Sequence, residues 1–128
     1  AGKVDAAAKA LLEEDYDFVY IHVEAPDEMG HQGSMERKVQ AIEYLDEKVI
    51  GPMVEKLEQA GVDFRMLVLP DHPTPIRVRT HTSENVPYML YDSTAKQKNA
   101  WNYNEAEALK SGNLEPVGHQ LIEKLLQL

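Results

Sequence analysis

The sequence predicts an α/β fold built on a mostly parallel sheet with flanking helices, from three observations. Residues 18–23 form an aromatic and β-branched run that is apolar on both faces, as a buried parallel strand is. Residues 64–69 form a second such run, interrupted only by Arg65. Between the two, Met35, Val39, Ile42, Leu45, Val49, Met53 and Leu57 recur at spacings of three and four, which is the apolar stripe of a long helix. Strand, helix, strand is the βαβ unit, whose crossover makes the strands parallel and lays the helix on one face of the sheet.

Each element has a local reason. Residues 4–14 are rich in Ala and Leu and read as a short helix of high intrinsic propensity that stops near Asp15. After the first strand, residues 24–33 read as a loop, because Pro26, Gly30 and Gly33 break regular structure, and Ser34 is placed to cap the long helix. Pro52 lacks the amide that would bond to the carbonyl of Lys48, so the long helix is expected to bend or break at Gly51-Pro52, and Gly61 is its stop. Residues 86–91 read as a third strand with Pro87 near its entry, residues 96–104 as a polar loop, and residues 105–110 and 118–127 as two helices. Met35, Met53 and Met66 are expected in the core, and so is His22, which alternates with Phe18 and Tyr20 on one strand face. His119 is expected at the surface where the last helix starts.

The chain has 128 residues, enough for one domain that buries roughly 65 to 70% of the surface of its unfolded form. Thirteen Lys and Arg against 22 Asp and Glu leave a formal charge of −9, with the basic residues scattered among acids, so no nucleic-acid partner is expected. With no cysteine there are no disulfides and no thiolate metal sites, and the cytoplasm is the default location. No apolar run approaches the roughly 18 residues that cross a bilayer, so no membrane partner is expected. The Ala-Gly-Lys-Val-Asp start has neither initiator Met nor signal-peptide pattern and reads as an excised or processed end.

Reactive groups of open α/β sheets gather beyond the carboxyl ends of the strands. Asp27 and His31 follow the first expected strand, and Asp71 and His72 follow the second, with His81 a few residues beyond. Two carboxylates and three imidazoles make a ligand set for divalent ions such as Mn, Zn, Co or Mg, better suited to a two-metal site than to a thiolate one. Ordinary loop histidines are the plain alternative. Arg77 and Arg79 alternate in a stretch read as extended, so both side chains are placed to clamp a phosphate, solvated hairpin arginines being the alternative. Glu24 and Glu28 lie in the first loop as acceptors behind the ligands or as exposed carboxylates.

The stretch Asp17-Phe18-Val19-Tyr20-Ile21-His22-Val23-Glu24-Ala25-Pro26-Asp27-Glu28-Met29-Gly30-His31, together with Leu69-Pro70-Asp71-His72-Pro73-Thr74-Pro75 and Arg79-Thr80-His81-Thr82, closely resembles the cofactor-independent phosphoglycerate mutases of archaeal type, members of the alkaline phosphatase superfamily. The resemblance runs over nearly the whole chain. It implies a three-layer, alkaline-phosphatase-like domain and an isomerase that interconverts 3-phosphoglycerate and 2-phosphoglycerate through a phosphoserine, with two divalent metal ions and no 2,3-bisphosphoglycerate requirement. It further implies that Asp27, His31 and His81 hold one metal ion, and that Asp71 and His72 hold the other together with an Asp and the nucleophilic Ser of an amino-terminal segment.

That segment and the inserted substrate-binding domain of complete family members have no counterpart here. Ser34, Ser83, Ser93 and Ser111 stand in none of the expected nucleophile context. Residues 1–128 are therefore expected to be the carboxyl-terminal part of the metal-binding domain, with little or no turnover alone. Its partners would be a small phosphorylated substrate, the missing amino-terminal segment of the same protein, and in some states a second copy. A metal-dependent phosphatase or phosphonate-acting relative, or a noncatalytic metal-binding or oligomerisation module, are the alternatives.

Overall fold

The computed structural model describes residues 2–95 and 102–127, which fall into two units: Ala1–Val62 with Thr74–Thr82, and Asp63–Pro73 with Ser83–Leu128. The first unit opens with helix α1 (Gly2–Glu13), whose Val4, Ala7 and Ala8 are buried. It packs on helix α4 (Gly51–Gln59), which buries Met53 and Leu57. Asp5 and Lys56 pair across the two helices at 3.5 Å. Small alanines let the helices approach, and the two larger side chains fill the seam. Helix α1 ends where Asp15 takes a left-handed backbone (φ 61) and the Tyr16 amide donates back to the Ala10 carbonyl at 3.2 Å.

Residues 18–23 keep the alternation of an extended chain, Val19, Ile21 and Val23 half-buried and Phe18, Tyr20 and His22 exposed. No ladder forms on them among the described residues, so the first expected strand is not formed there. A strand exists only through a partner's hydrogen bonds, which periodicity alone does not supply. His22 is correspondingly a surface residue rather than a core one, its Nδ1 3.5 Å from the Tyr20 hydroxyl and its Nε2 3.7 Å from Glu24.

The expected loop at 24–33 is instead helix α2 (Ala25–Gln32). Pro26 lies in the first turn, where its missing amide costs nothing, Asp27 and Glu28 sit at the positive end of the helix dipole, and Gly33 closes the helix with φ 69. Ser34 caps helix α3 (Met35–Leu45) as expected, accepting from the Arg37 amide at 3.3 Å. Pro52 is accommodated by a π-helical turn, Asp46–Ile50, ahead of α4. The wider turn carries the Gly51 amide to the Asp46 carbonyl and absorbs the bond that Pro52 cannot donate. The apolar stripe is buried only in its second half: Met53 is 3% exposed, whereas Met35 is 66% exposed and so is not a core residue.

In the second unit, strand β1 (Arg65–Val68) pairs with strand β2 (Met89–Asp92), Arg65 opposite Asp92 and Val68 opposite Met89. The pairing is antiparallel. The parallel βαβ unit expected between residues 18–23 and 64–69 is thus not formed among the described residues: 18–23 carries no ladder, and β1 pairs instead with β2, to which a segment without a helix returns the chain. Arg65 Nε donates to Asp92 at 3.1 Å, and the rings of Phe64 and Tyr91 meet at 5.6 Å. Helix α5 (Glu105–Lys110) is capped by Asn104, which accepts from the Glu107 amide at 2.9 Å. A 3₁₀ turn (Gly118–Gln120) leads into helix α6 (Leu121–Leu126), which packs on β1 and buries Leu121. His119 is exposed, as expected. Most of the loop expected at 96–104 lies outside the described residues. No described helix is long and apolar enough to cross a membrane.

Candidate metal centre

Helix formation at 25–32 is what brings the first pair of candidate ligands together. Asp27 and His31 are four apart and so lie on one face of α2, His31 Nε2 3.3 Å from Asp27 Oδ2. The segment Thr74–Thr82 of the same unit delivers the third side chain, with His81 Nε2 3.1 Å from His31 Nε2 and 3.2 Å from Asp27 Oδ1. The structure therefore joins Asp27, His31 and His81, one donor atom from each lying within 4.8 Å of the others.

Hydrogen bonding around the cluster sets its electronic character. His31 Nδ1 lies 3.0 Å from the Arg79 carbonyl, which can only accept, so Nδ1 carries a proton and Nε2 is the ring atom turned toward the cluster. Arg79 presents that carbonyl from a left-handed backbone (φ 61), an uncommon conformation for a residue with a side chain. On the other side the Thr74 hydroxyl donates to Asp27 Oδ1 at 2.6 Å. A carboxylate and two imidazole Nε2 atoms turned toward one another form a cluster of oxygen and nitrogen donors, and this donor set fits a divalent cation.

Asp71 and His72 belong to the second unit. Their geometry repeats the pattern of the first pair, His72 Nδ1 3.3 Å from the Pro73 carbonyl and Nε2 3.3 Å from Asp71 Oδ2, while the His72 amide donates to Asp71 Oδ1 at 3.1 Å. Arg77 and Arg79 are exposed, but not on an extended stretch. The amides of Val78 and Arg79 both return to the Pro75 carbonyl, so residues 76–78 form a turn and the expected same-side alternation is lost. The Arg79 guanidinium lies where a side chain on Gly33 would project. Glu24 is the residue before α2 and Glu28 is in its first turn, both exposed.

Two contributors were not singled out from the sequence, Thr74 and the Arg79 carbonyl. Thr74 stands inside the Asp-His-Pro-Thr-Pro run and was legible as part of that motif. The carbonyl leaves no trace in residue identity.

The metalloenzyme superfamily pattern matches residues 1–127, and the chain belongs to that superfamily. Within it, the chain is similar to proteins named 2,3-bisphosphoglycerate-independent phosphoglycerate mutases. It is 44% identical to the one from Methanothrix thermoacetophila, over 98% of this chain and 32% of that protein. It is also 44% identical to a protein from Geobacter sulfurreducens named as a probable mutase of this kind, over 98% of this chain and 31% of that protein. The chain thus spans about a third of the length of these relatives. The solved structure of the PH0037 protein from Pyrococcus horikoshii matches with a TM-score of 0.78 and 26% identity, covering 97% of this chain and 36% of that one. The superfamily and this neighbour fit the expected α/β, alkaline-phosphatase-like fold.

Proposed function

We propose that this chain is the carboxyl-terminal part of the metal-binding domain of a cytoplasmic, cofactor-independent phosphoglycerate mutase, which interconverts 3-phosphoglycerate and 2-phosphoglycerate through a phosphoserine formed on a residue outside this chain. The observation that carries the reading is the convergence of Asp27, His31 and His81 in a chain of the metalloenzyme superfamily. In this reading the three side chains hold one divalent ion, Asp71 and His72 contribute to a second, and the remaining positions are filled by the rest of the protein, which also completes the mostly parallel, three-layer sheet. Two such cations supply positive charge for the oxygens of a transferring phosphoryl group and favour the ionised form of an attacking hydroxyl. The chain's own residues bind and orient. His31 is held in one tautomer by the Arg79 carbonyl. Arg77 and Arg79, exposed on the segment that carries His81, are assigned to the substrate's phosphate, whose oxygens suit a guanidinium fork.

The test uses the complete protein. Elemental analysis should find Mn, Zn, Co or Mg, and His31→Ala or His81→Ala should lower both metal content and mutase turnover, by about tenfold or more. Metal content unchanged in both variants overturns the ligand assignment. Net release of inorganic phosphate from phosphoglycerate, in place of isomerisation, identifies a phosphatase instead.

A further inference from the structure

Thr74 is 4% exposed and is the buried polar side chain of the described core. Three neighbours define its place. Its hydroxyl donates to Asp27 Oδ1 at 2.6 Å. Its carbonyl accepts from Lys38 Nζ of α3, also at 2.6 Å. Its side chain lies on Gly30 of α2, where an added Cβ would come within 2.9 Å of Thr74 Cγ2 and closer still to the Thr74 carbonyl oxygen. Gly30 is therefore glycine for a reason of space: one turn beyond Asp27, it admits a neighbouring backbone that any larger residue would push away.

We infer that Thr74 is a positioning residue, locked between Gly30 and Lys38, that fixes the orientation of the Asp27 carboxylate toward the two imidazoles. An aspartate side chain on a helix turns easily about its last torsion, and that turn would swing Oδ1 and Oδ2 away from His81 and His31. A short hydrogen bond from a buried hydroxyl opposes the rotation, and a hydroxyl, unlike a lysine, does so without bringing positive charge to a cation site. Lys38 acts one step further out, on the Thr74 carbonyl, so its charge holds the backbone and not the ligand. The inference rests on the proposed metal-binding reading of Asp27, His31 and His81.

The experiment is Mn²⁺ titration of the metal-stripped complete protein, followed by the electron paramagnetic resonance of free Mn²⁺. A His72→Ala background restricts the readout to the Asp27–His31–His81 set. Thr74→Val keeps the volume and removes the donor, and should weaken Mn²⁺ about 10 to 100-fold, with the thermal midpoint of the metal-free protein little changed. Thr74→Ser restores the donor and should recover most of the affinity. Wild-type affinity in Thr74→Val, or failure of Thr74→Ser to recover it, overturns the positioning role while leaving the metal site standing. Absence of Mn²⁺ binding in the His72→Ala parent with Thr74 intact overturns the metal reading and the inference together.

Discussion

At the scale of single residues, Asp92 and Tyr103 mark the two ends of the pH range. The Asp92 carboxylate accepts from the Thr94 hydroxyl at 2.7 Å, from the Thr94 amide at 2.9 Å and from Arg65 at 3.1 Å, and these donors hold its pKa down from 3.8 to about 2. The folded chain therefore binds this proton less readily than the unfolded chain, so the stabilisation is complete above the ordinary carboxylate value and is lost as pH falls toward 2. Tyr103 behaves in the opposite sense. Shielding of its hydroxyl, which donates to the Pro87 carbonyl at 2.9 Å, and the nearby Glu105 carboxylate push its pKa up to about 12. Its contribution is present below the ordinary phenol value of 10.0 and is lost as pH rises through 12. Thermal midpoints measured against pH should fall at both extremes. Asp92→Asn should flatten the acid arm between about pH 4 and pH 2, and an unchanged acid arm would show that these hydrogen bonds do not set it.

At the scale of elements, the helix pair α2 and α3 decides the geometry of the candidate site, since one carries Asp27 and His31 and the other supplies Lys38. Gly33 and Ser34 join them, the first reversing the chain in the left-handed region and the second capping the next helix. Ser34→Ala leaves the Arg37 amide without its side-chain acceptor and should cost about 1 kcal/mol, read as a lower denaturant midpoint at unchanged slope. A midpoint equal to wild type would mean that water replaces the cap without loss. Helix α2 was hidden in the sequence because Pro26 and Gly30 are breakers in most contexts. Pro in a first turn is not one, and Gly30 is kept for the approach of Thr74. Pro52 was legible as an irregularity, but periodicity does not tell a kink from a π-helical turn.

At the scale of the whole molecule, the first unit leaves a row of large apolar side chains exposed on α3, Met35 at 66%, Val39 at 49% and Ile42 at 52%. They recur at helical spacing, so they form one face rather than scattered surface positions. Residues 18–23 carry no ladder among the described residues and leave Phe18 and Tyr20 exposed. A chain that spans about a third of its relatives' length would leave such faces for the remaining two thirds to cover. Isolated, it should self-associate as its concentration rises, whereas the complete protein should keep a constant mass over the same range by light scattering. A concentration-independent monomer would argue that these faces need no cover.

The sequence by itself determined the composition limits, most of the helices, the helix stop near Asp15, the Ser34 cap and the set of carboxylates and imidazoles from which the candidate metal site is drawn, because all of these depend on residue type and short spacing. Tertiary structure decided that residues 25–32 coil into a helix, that the two strands run antiparallel, that Arg77 and Arg79 sit on a turn, and that Asp27, His31 and His81 converge across a sequence separation of 50 residues. Strand pairing and the meeting of distant side chains are set by partners far along the chain or outside it, which no local pattern encodes.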